Sequence, residues 1–485
     1  MLSLLKEAFL LHSKGQLSQA KKIYQNILTK DSNNFDANHL LGIIALQEKD
    51  LNKAKILIKK SINIDSKNYA AFNNLGNVYQ KLKNYKEAII NYNKAISLKP
   101  NYAEAYNNIG ISLRNLKNYK EAIINYNKAI SLKPNYAEAY NNRGISFLKL
   151  KIYNLALKDY NKAISLRHDY AEAYYNKSLL YLIRGDFKKG WMNYEWRKKL
   201  FNKYKTRSTA NIKELINLKN IRNKKIFIEH EQGLGDTIQF SRYVKLLSDL
   251  GAKVMFKTQD PLHELFKNFS NLNESDEFDL YSSLLSLPYV FNTNSKNIPN
   301  NSPYLYTNKE IDLFWKNKIK DNGLKIGICW QGNPENELDS ERSFELKNFK
   351  IISRLKNVRL INLQEKYGLE QLNKLREQLK IENFLIIKNN QDPFINVAAI
   401  IKNLDLVITC DTSIAHLSGA LNCPTWLILG YNHDWRWMIN NEKSIWYPSI
   451  RIFRKKNNEL WEDIFKKICN KLKNEYKIII NQPSI

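Results

Sequence analysis

Paired cysteines are missing from this chain, and so is any long run that is apolar throughout. The four cysteines, Cys329, Cys410, Cys423 and Cys469, have neither the close spacing of a zinc site nor the density of a disulfide-stapled domain, so reduced, core-packed thiols are expected. The run 412–433 has no Asp, Glu, Lys or Arg but is broken by His416, Asn422 and Pro424, so it lacks the roughly 18 predominantly apolar residues needed to span a bilayer, and the opening Met1-Leu-Ser-Leu-Leu-Lys-Glu-Ala carries charges among its apolar residues. A cytoplasmic protein without signal peptide or membrane helix is the expectation. Acidic residues are scarce: 47 Asp and Glu stand against 76 Lys and Arg, a formal net charge of +29. Such an excess fits nucleic acid or an anionic membrane where the basic residues cluster. Here lysine far outnumbers arginine and is spread from end to end. No basic helix with groove-reading spacing and no aromatic RNA-binding signature occurs, which argues against a specific nucleic-acid role and leaves attraction to acidic partners or phosphates.

At 485 residues and 44% hydrophobic, the chain is too long for a single core and apolar enough for two or three compact units. Its strongest signal is a period of 34. Asn101-Tyr-Ala-Glu-Ala-Tyr-Asn-Asn-Ile-Gly110 recurs as Asn135-Tyr-Ala-Glu-Ala-Tyr-Asn-Asn-Arg-Gly144, and Gly42, Gly76, Gly110 and Gly144 keep the same interval. Ala88, Ala122 and Ala156 follow their glycine by twelve residues, Tyr92, Tyr126 and Tyr160 by sixteen, and Ala95, Ala129 and Ala163 by nineteen. Small residues at fixed register mark close helix approaches, and Pro100 and Pro134 end two of the units. A stacked helical solenoid follows, because no single helix pair can bury its apolar face alone.

This pattern resembles the tetratricopeptide repeat family residue for residue. It gives five units and a degenerate sixth that starts near Asp169 and runs out around Arg197. Asn74, Asn108, Asn142 and Asn176 recur two residues before the glycine position. A row of side-chain amides has the donors and acceptors to clamp an extended peptide backbone, as the similar arrays of O-linked N-acetylglucosamine transferases do; the other reading is a solvated polar face.

Beyond Phe201 the period is lost. Lys224–His230 is a short apolar run leading through Glu231-Gln-Gly-Leu-Gly-Asp236 into a helical pattern, and Gly251–Lys257 supplies another strand. The alternation continues with Leu324–Cys329, Val358–Leu363, Leu404–Thr409 and Thr425–Leu429, which predicts parallel sheets with crossover helices and a cleft between two of them. The loop Cys410-Asp-Thr-Ser413 opens the helix containing His416. Thr412 or Ser413 suits its N-cap, and hydroxyls, free N–H groups and partial positive charge together suit a diphosphate.

Glu231-Gln-Gly-Leu-Gly-Asp, Trp330-Gln-Gly-Asn, Asp411-Thr-Ser-Ile-Ala-His and Asp434-Trp-Arg-Trp together resemble the C-terminal domain of bacterial tetratricopeptide-glycosyltransferase fusions, which is similar to the heptosyltransferase-like family 9 glycosyltransferases of GT-B fold. The resemblance implies a multidomain chain: repeats over 1–200, a linker over 201–223, then two facing Rossmann-like units over 224–305 and 306–480. It also implies a nucleotide-sugar donor held mainly by the second of these, no resident cofactor and no required metal. Position by position, Asp236 falls where the family places a general base. Asp411, Thr412, Ser413 and His416 fall at the donor loop, with Gly332 and Arg342 near the diphosphate. Ser413 replaces the usual glycine, which bears on donor identity more than on fold.

Each of these residues has a second reading. Asp236 also suits a helix cap, Asp411 and Thr412 a cap without ligand, and His416 a satisfied core position. Trp435 and Trp437 suit stacking on a base or packing on the sheet, and Glu231 and Gln331 suit polar contacts. Two functions follow: transfer of a sugar from a nucleotide-sugar to a protein or glycan recruited by the repeats, or a non-catalytic interaction scaffold with a degenerate transferase half.

Overall fold

The recurring glycines and tyrosines touch. A methyl group added at Gly76 would lie 2.5 Å from the ring of Tyr92, and the same holds at Gly110 for Tyr126 (2.5 Å) and at Gly144 for Tyr160 (2.7 Å). The sixteen-residue offset is therefore a helix-to-helix contact, with the tyrosine seated where a side chain is missing. At Gly42 the partner is Ile58, at 2.6 Å. The computed structural model describes residues 1–201, 211–336, 339–385 and 393–477. It divides into two units, Met1–Lys177 and Ser178–Ile485.

In the first unit the helix pairs are Leu2–Ser13 and Leu17–Lys30 (α1, α2), Phe35–Gln47 and Leu51–Ile64 (α3, α4), Tyr69–Lys81 and Tyr85–Leu98 (α5, α6), Ala103–Asn115 and Tyr119–Leu132 (α7, α8), and Ala137–Lys149 and Tyr153–Leu166 (α9, α10). Ala88, Ala95, Ala122, Ala129, Ala156 and Ala163 are all fully buried. The turn within each pair needs one left-handed residue: Gly15 in the first, then Lys49, Lys83, Lys117 and Lys151 with φ of 66°, 59°, 62° and 60°. Glycine takes that conformation without strain; lysine holds it at a cost.

The sixth repeat begins with Ala171–Ile183 (α11), and Phe187–Tyr194 (α12) and Arg197–Leu200 (α13) follow. The boundary between units lies at Lys177/Ser178, inside this repeat, rather than at residue 200. The reason is local: Trp191 of α12 is 2% exposed and packs edge-on against Trp435 and Phe240 at 5.3 and 6.2 Å, while Arg197 of α13 is fully buried.

The second unit holds two parallel sheets. The first, of Lys213–Glu214 (β1), Lys225–Glu229 (β2), Lys253–Lys257 (β3) and Leu280–Ser283 (β4), has the order β1-β4-β2-β3. Residues 202–210 of the expected linker lie outside the described residues, and β1 pairs with β4, so this sheet draws on the chain before 224. The second sheet comprises Leu324–Cys329 (β5), Val358–Asn362 (β6), Ile381–Glu382 (β7), Leu406–Cys410 (β8), Thr425–Leu429 (β9) and Ile450–Arg454 (β10), in the order β10-β9-β8-β5-β6-β7. That is the doubly wound order of a Rossmann sheet, with the reversal between β5 and β8. β8 and β9 are buried throughout, as a sheet covered on both faces requires. The last helix, Trp461–Tyr476, closes the unit; residues 478–480 of the expected range lie outside the described residues.

Candidate functional site

Parallel sheets leave their ligand crevice at the carboxyl ends of the strands, beside the point where strand order reverses. Here β5 ends at Cys329 and β8 at Cys410, and the loops that follow them face the loop after β2. That loop runs through Glu231–Gly233 into the helix Leu234–Phe240 (α14). The start of α14 lies against the helix Ser413–Ala420: a methyl at Gly235 would come within 2.8 Å of His416 Cδ2 and 3.6 Å of Ser413 Cα. Between the loops opens a cavity of about 950 Å³. Asp236, Gly332, Arg342, Asp411, Thr412, Ser413 and His416 all line it, with Gln331 and Cys329.

Asp236 caps its helix and also lines the cavity. Its Oδ2 accepts from the backbone N–H of Gly233 at 2.9 Å, which caps α14, and its Oδ1 pairs with Arg436 while the side chain faces the cavity. Burial pushes its carboxyl above the ordinary value, and Arg436 opposes that shift. Arg436 is nearly enclosed; its other N–H groups go to Asp434 Oδ1 at 2.8 Å and Gln239 Oε1 at 2.6 Å.

Arg342 reaches in from the opposite side. Its Nη1 donates to the carbonyl of Asp411 at 3.1 Å and its Nε to Asp339 at 3.2 Å. Gly332 makes room for it, since a Cβ there would meet Nη2 at 2.4 Å. Asp411 is pushed up to about 6, first by burial and then by the charge of Asp434, with Arg342 acting against both. Thr412 occupies the N-cap of Ser413–Ala420, yet its hydroxyl makes no capping bond. It turns toward Cys329 Sγ at 3.6 Å and Thr409 Oγ1 at 3.5 Å instead. The first-turn N–H groups are thus left without a side-chain cap, at the positive end of the helix.

His416 is only 5% exposed, its Nδ1 within 3.0 Å of the Tyr447 hydroxyl and its ring stacked on Trp437 at 5.3 Å. Burial holds it well below its ordinary value, so it is a neutral imidazole at physiological pH. Trp435 and Trp437 are buried and do not line the cavity, which selects the packing reading. Glu231 is buried as well: its carboxylate receives a two-pronged contact from Arg197, Nε to Oε1 at 2.7 Å and Nη2 to Oε2 at 2.8 Å. All four cysteines are buried and free.

Two residues escaped the sequence reading. Arg436 was hidden between the two tryptophans of its motif. Gln364, just after β6, accepts from the N–H groups of Trp330 and Gln331 at 3.2 and 3.1 Å and so holds the loop after β5. The available signal was position alone, a polar side chain at the carboxyl end of a parallel strand.

In the first unit the four asparagines sit at the junctions between repeats, half-buried. The amide of Asn108 donates to Asn73 Oδ1 at 3.2 Å, that of Asn142 to Asn107 Oδ1 at 3.1 Å, and that of Asn176 to Asn141 Oδ1 at 3.0 Å. Asn74 contacts His39 Nε2 at 3.0 Å instead. The row is thus tied to the preceding repeat before any peptide arrives. Among the described residues no cluster of three or more His, Cys, Asp or Glu has the makings of a metal site, and no helix is long and apolar enough to cross a membrane.

Comparison with known proteins matches the tetratricopeptide repeat family over residues 35–68, 68–135 and 137–170. The N-terminal region is an array of these repeats, a protein-interaction module. Protein FlbA of Caulobacter vibrioides is 23% identical over 287 residues, which cover 52% of this chain and 47% of that protein. The chain thus aligns with about half the length of that relative. Among solved structures, MamA is 27% identical over 34% of this chain and 96% of its own, with a TM-score of 0.31. YrrB, described as a TPR protein with an unusual peptide-binding site, is 27% identical over 36% of this chain and 91% of its own, with a TM-score of 0.32. PilF of Pseudomonas aeruginosa is 20% identical over 41% and 91%, with a TM-score of 0.37.

Proposed function

We propose that the second unit is a GT-B type glycosyltransferase, moving a sugar from a nucleotide-sugar donor to a protein or glycan acceptor that the repeats recruit. The observation that carries this reading is the convergence of Asp236 from one sheet with Arg342 and the Asp411–His416 loop from the other on a single cavity of about 950 Å³. The volume is in the range of small-molecule sites. The donor diphosphate lies at the uncapped start of Ser413–Ala420, where backbone N–H groups and the Arg342 guanidinium take up the charge that grows on the leaving group. The acceptor hydroxyl attacks the anomeric carbon as the bond to the diphosphate oxygen breaks, and its proton passes to Asp236. Each Asp236 oxygen already accepts one hydrogen bond and keeps a lone pair for the acceptor. Neutral His416 contacts the donor as a hydrogen-bonding group rather than a charge. The Asn74, Asn108, Asn142 and Asn176 row offers a peptide its remaining N–H groups and lone pairs.

The pairing of Asp236 with Arg436 favours a second reading, in which the carboxylate is a structural link and the chain is a repeat scaffold with an inert passenger. Purified protein is screened by thermal shift against UDP-, GDP-, ADP- and CMP-sugars, since a ligand bound only by the native state raises stability by mass action. One donor class is expected to raise the melting temperature, Arg342→Gln to abolish the shift, and Asp236→Asn to keep it while removing turnover. No shift with any donor, or turnover unchanged in both variants, discards the assignment.

A further inference from the structure

The second helices of the central repeats carry an ordered outer face that the repeat signature does not explain. At 34-residue spacing the chain places Lys22, Ile56, Ile90, Ile124 and Lys158 in one register. Ile56, Ile90 and Ile124 are 65%, 58% and 65% exposed, and it is their recurrence at one register, not the exposure of any one of them, that makes a surface feature. Each points away from the packed side of its helix, since Ala54, Ala88 and Ala122, two residues earlier and fully buried, lie about 200° around the axis. Four residues later, one turn along, Lys60, Lys94, Lys128 and Lys162 form a second row. One turn earlier stand Lys86 and Lys120, both exposed. None of these lysines pairs with a carboxylate among the described residues. Acid on this face is confined to Glu87 and Glu121, and the latter is engaged by Asn118 Nδ2 at 2.7 Å.

Three apolar side chains in line, bordered by a row of four unpaired lysines and closed at both ends by lysine, call for a partner that is both anionic and apolar. Among such partners a lipid surface fits better than an acidic polypeptide. Interfacial binding needs only apolar groups that reach the acyl boundary and cations that meet the headgroups, and this face carries both, three exposed isoleucines beside a row of lysines. We propose that the outer face of α4, α6, α8 and α10 docks peripherally on an anionic membrane surface through Ile56, Ile90 and Ile124 and the row Lys60, Lys94, Lys128 and Lys162.

The test is co-sedimentation of the full chain with phosphatidylcholine vesicles with and without phosphatidylserine, at low and high salt. Binding is expected to the anionic vesicles alone and to fall with salt. The combined Ile56→Ser, Ile90→Ser and Ile124→Ser variant is expected to lose about tenfold or more in partitioning. Lys60→Gln, Lys94→Gln, Lys128→Gln and Lys162→Gln together are expected to lose about a hundredfold or more, at roughly 1 kcal/mol per lysine at a charged surface. Changing Lys309, Lys318, Lys356 and Lys374 to Gln instead is expected to matter by about twofold at most. Because all substituted side chains are on the surface, both variant sets are expected to retain the parent circular dichroism. The proposal is overturned by equal binding to neutral vesicles, by retention in either variant set, or by an equal loss in the control set, which would mark general attraction to a basic protein. Binding to polyglutamate with none to vesicles would assign the face to an acidic polypeptide and overturn it too.

Discussion

Replacing Arg197 by Met exposes how the loop at the cavity mouth is held. The guanidinium has no solvent exposure, and neither does the Glu231 carboxylate that receives two of its N–H groups. Further bonds run to the Tyr194 carbonyl at 3.1 Å, Glu195 at 2.7 Å and Ser286 at 2.9 Å. Truncation leaves Glu231 buried without a counter-charge, which costs about 3–5 kcal/mol. Glu195 loses less, since it keeps Lys198 at 2.5 Å. An unfolding entropy of about 2.1 cal/mol/K per residue over roughly 300 residues amounts to about 0.6 kcal/mol/K. The second unit is therefore expected to melt about 5–8 °C lower in Arg197→Met. Adding Glu231→Gln removes the stranded charge, and the double variant is expected to recover about half of the loss or more, a coupling of about 2 kcal/mol. Calorimetry of the four proteins of this cycle measures it. A shift below about 1 °C in Arg197→Met, or costs that simply add, would refute the assignment of the pair as an internal clasp.

Asp411 is held up to about 6 against an ordinary 3.8, so below that value it is neutral and above it an anion facing any phosphate in the cavity. Pyrophosphate, whose own ionisation affects parent and variant alike, is thus expected to bind the parent more weakly than Asp411→Asn above pH 6, with the gap closing below it in calorimetric titrations; a gap that does not change with pH would exclude Asp411 as its origin. Gly235→Ala places a methyl 2.8 Å from the His416 ring, which Trp437 and Tyr447 keep from moving aside. Although alanine favours helix, the overlap is expected to win by about 1–3 kcal/mol, read as a lower melting temperature; a stabilised variant would show that the two helices separate freely. Lys83→Gly relieves a left-handed lysine at φ 59° and is expected to raise stability by about 0.5 kcal/mol in urea titration, whereas a loss would mean that the lysine side chain contributes more than the strain removes.

The repeats were legible because their contacts are local. Gly76 and Tyr92 lie close in sequence and meet across one turn, so the spacing and the contact are the same fact. The strands at Lys225–Glu229 and Leu406–Cys410 were legible as apolar runs, and the loops after them as polar breaks. The strand order was not, because pairing in a parallel sheet is set by crossovers that leave no local mark. Ile450–Arg454 alternates with arginine and has the look of a surface segment, yet it forms the edge of the six-stranded sheet. The clasp between Arg197 and Glu231 joins a repeat remnant to a loop of the other fold, and neither residue's neighbours announce it. Arg436 was masked by the tryptophans on either side. Thr412 had the composition of a cap, but whether its hydroxyl turns to the helix or to Cys329 is decided by packing that composition does not contain.

The amide contacts between successive repeats have a consequence for how such a chain can change. Asn142 meets Asn107, and Asn176 meets Asn141, through the same pair of atoms at nearly the same length. Between the junctions of Asn108 and Asn176, a whole block duplicated or excised in frame would find the same amide contact on each side. The array therefore behaves as a ruler with interchangeable segments, whose reach evolution can adjust by whole increments without inventing a new joint.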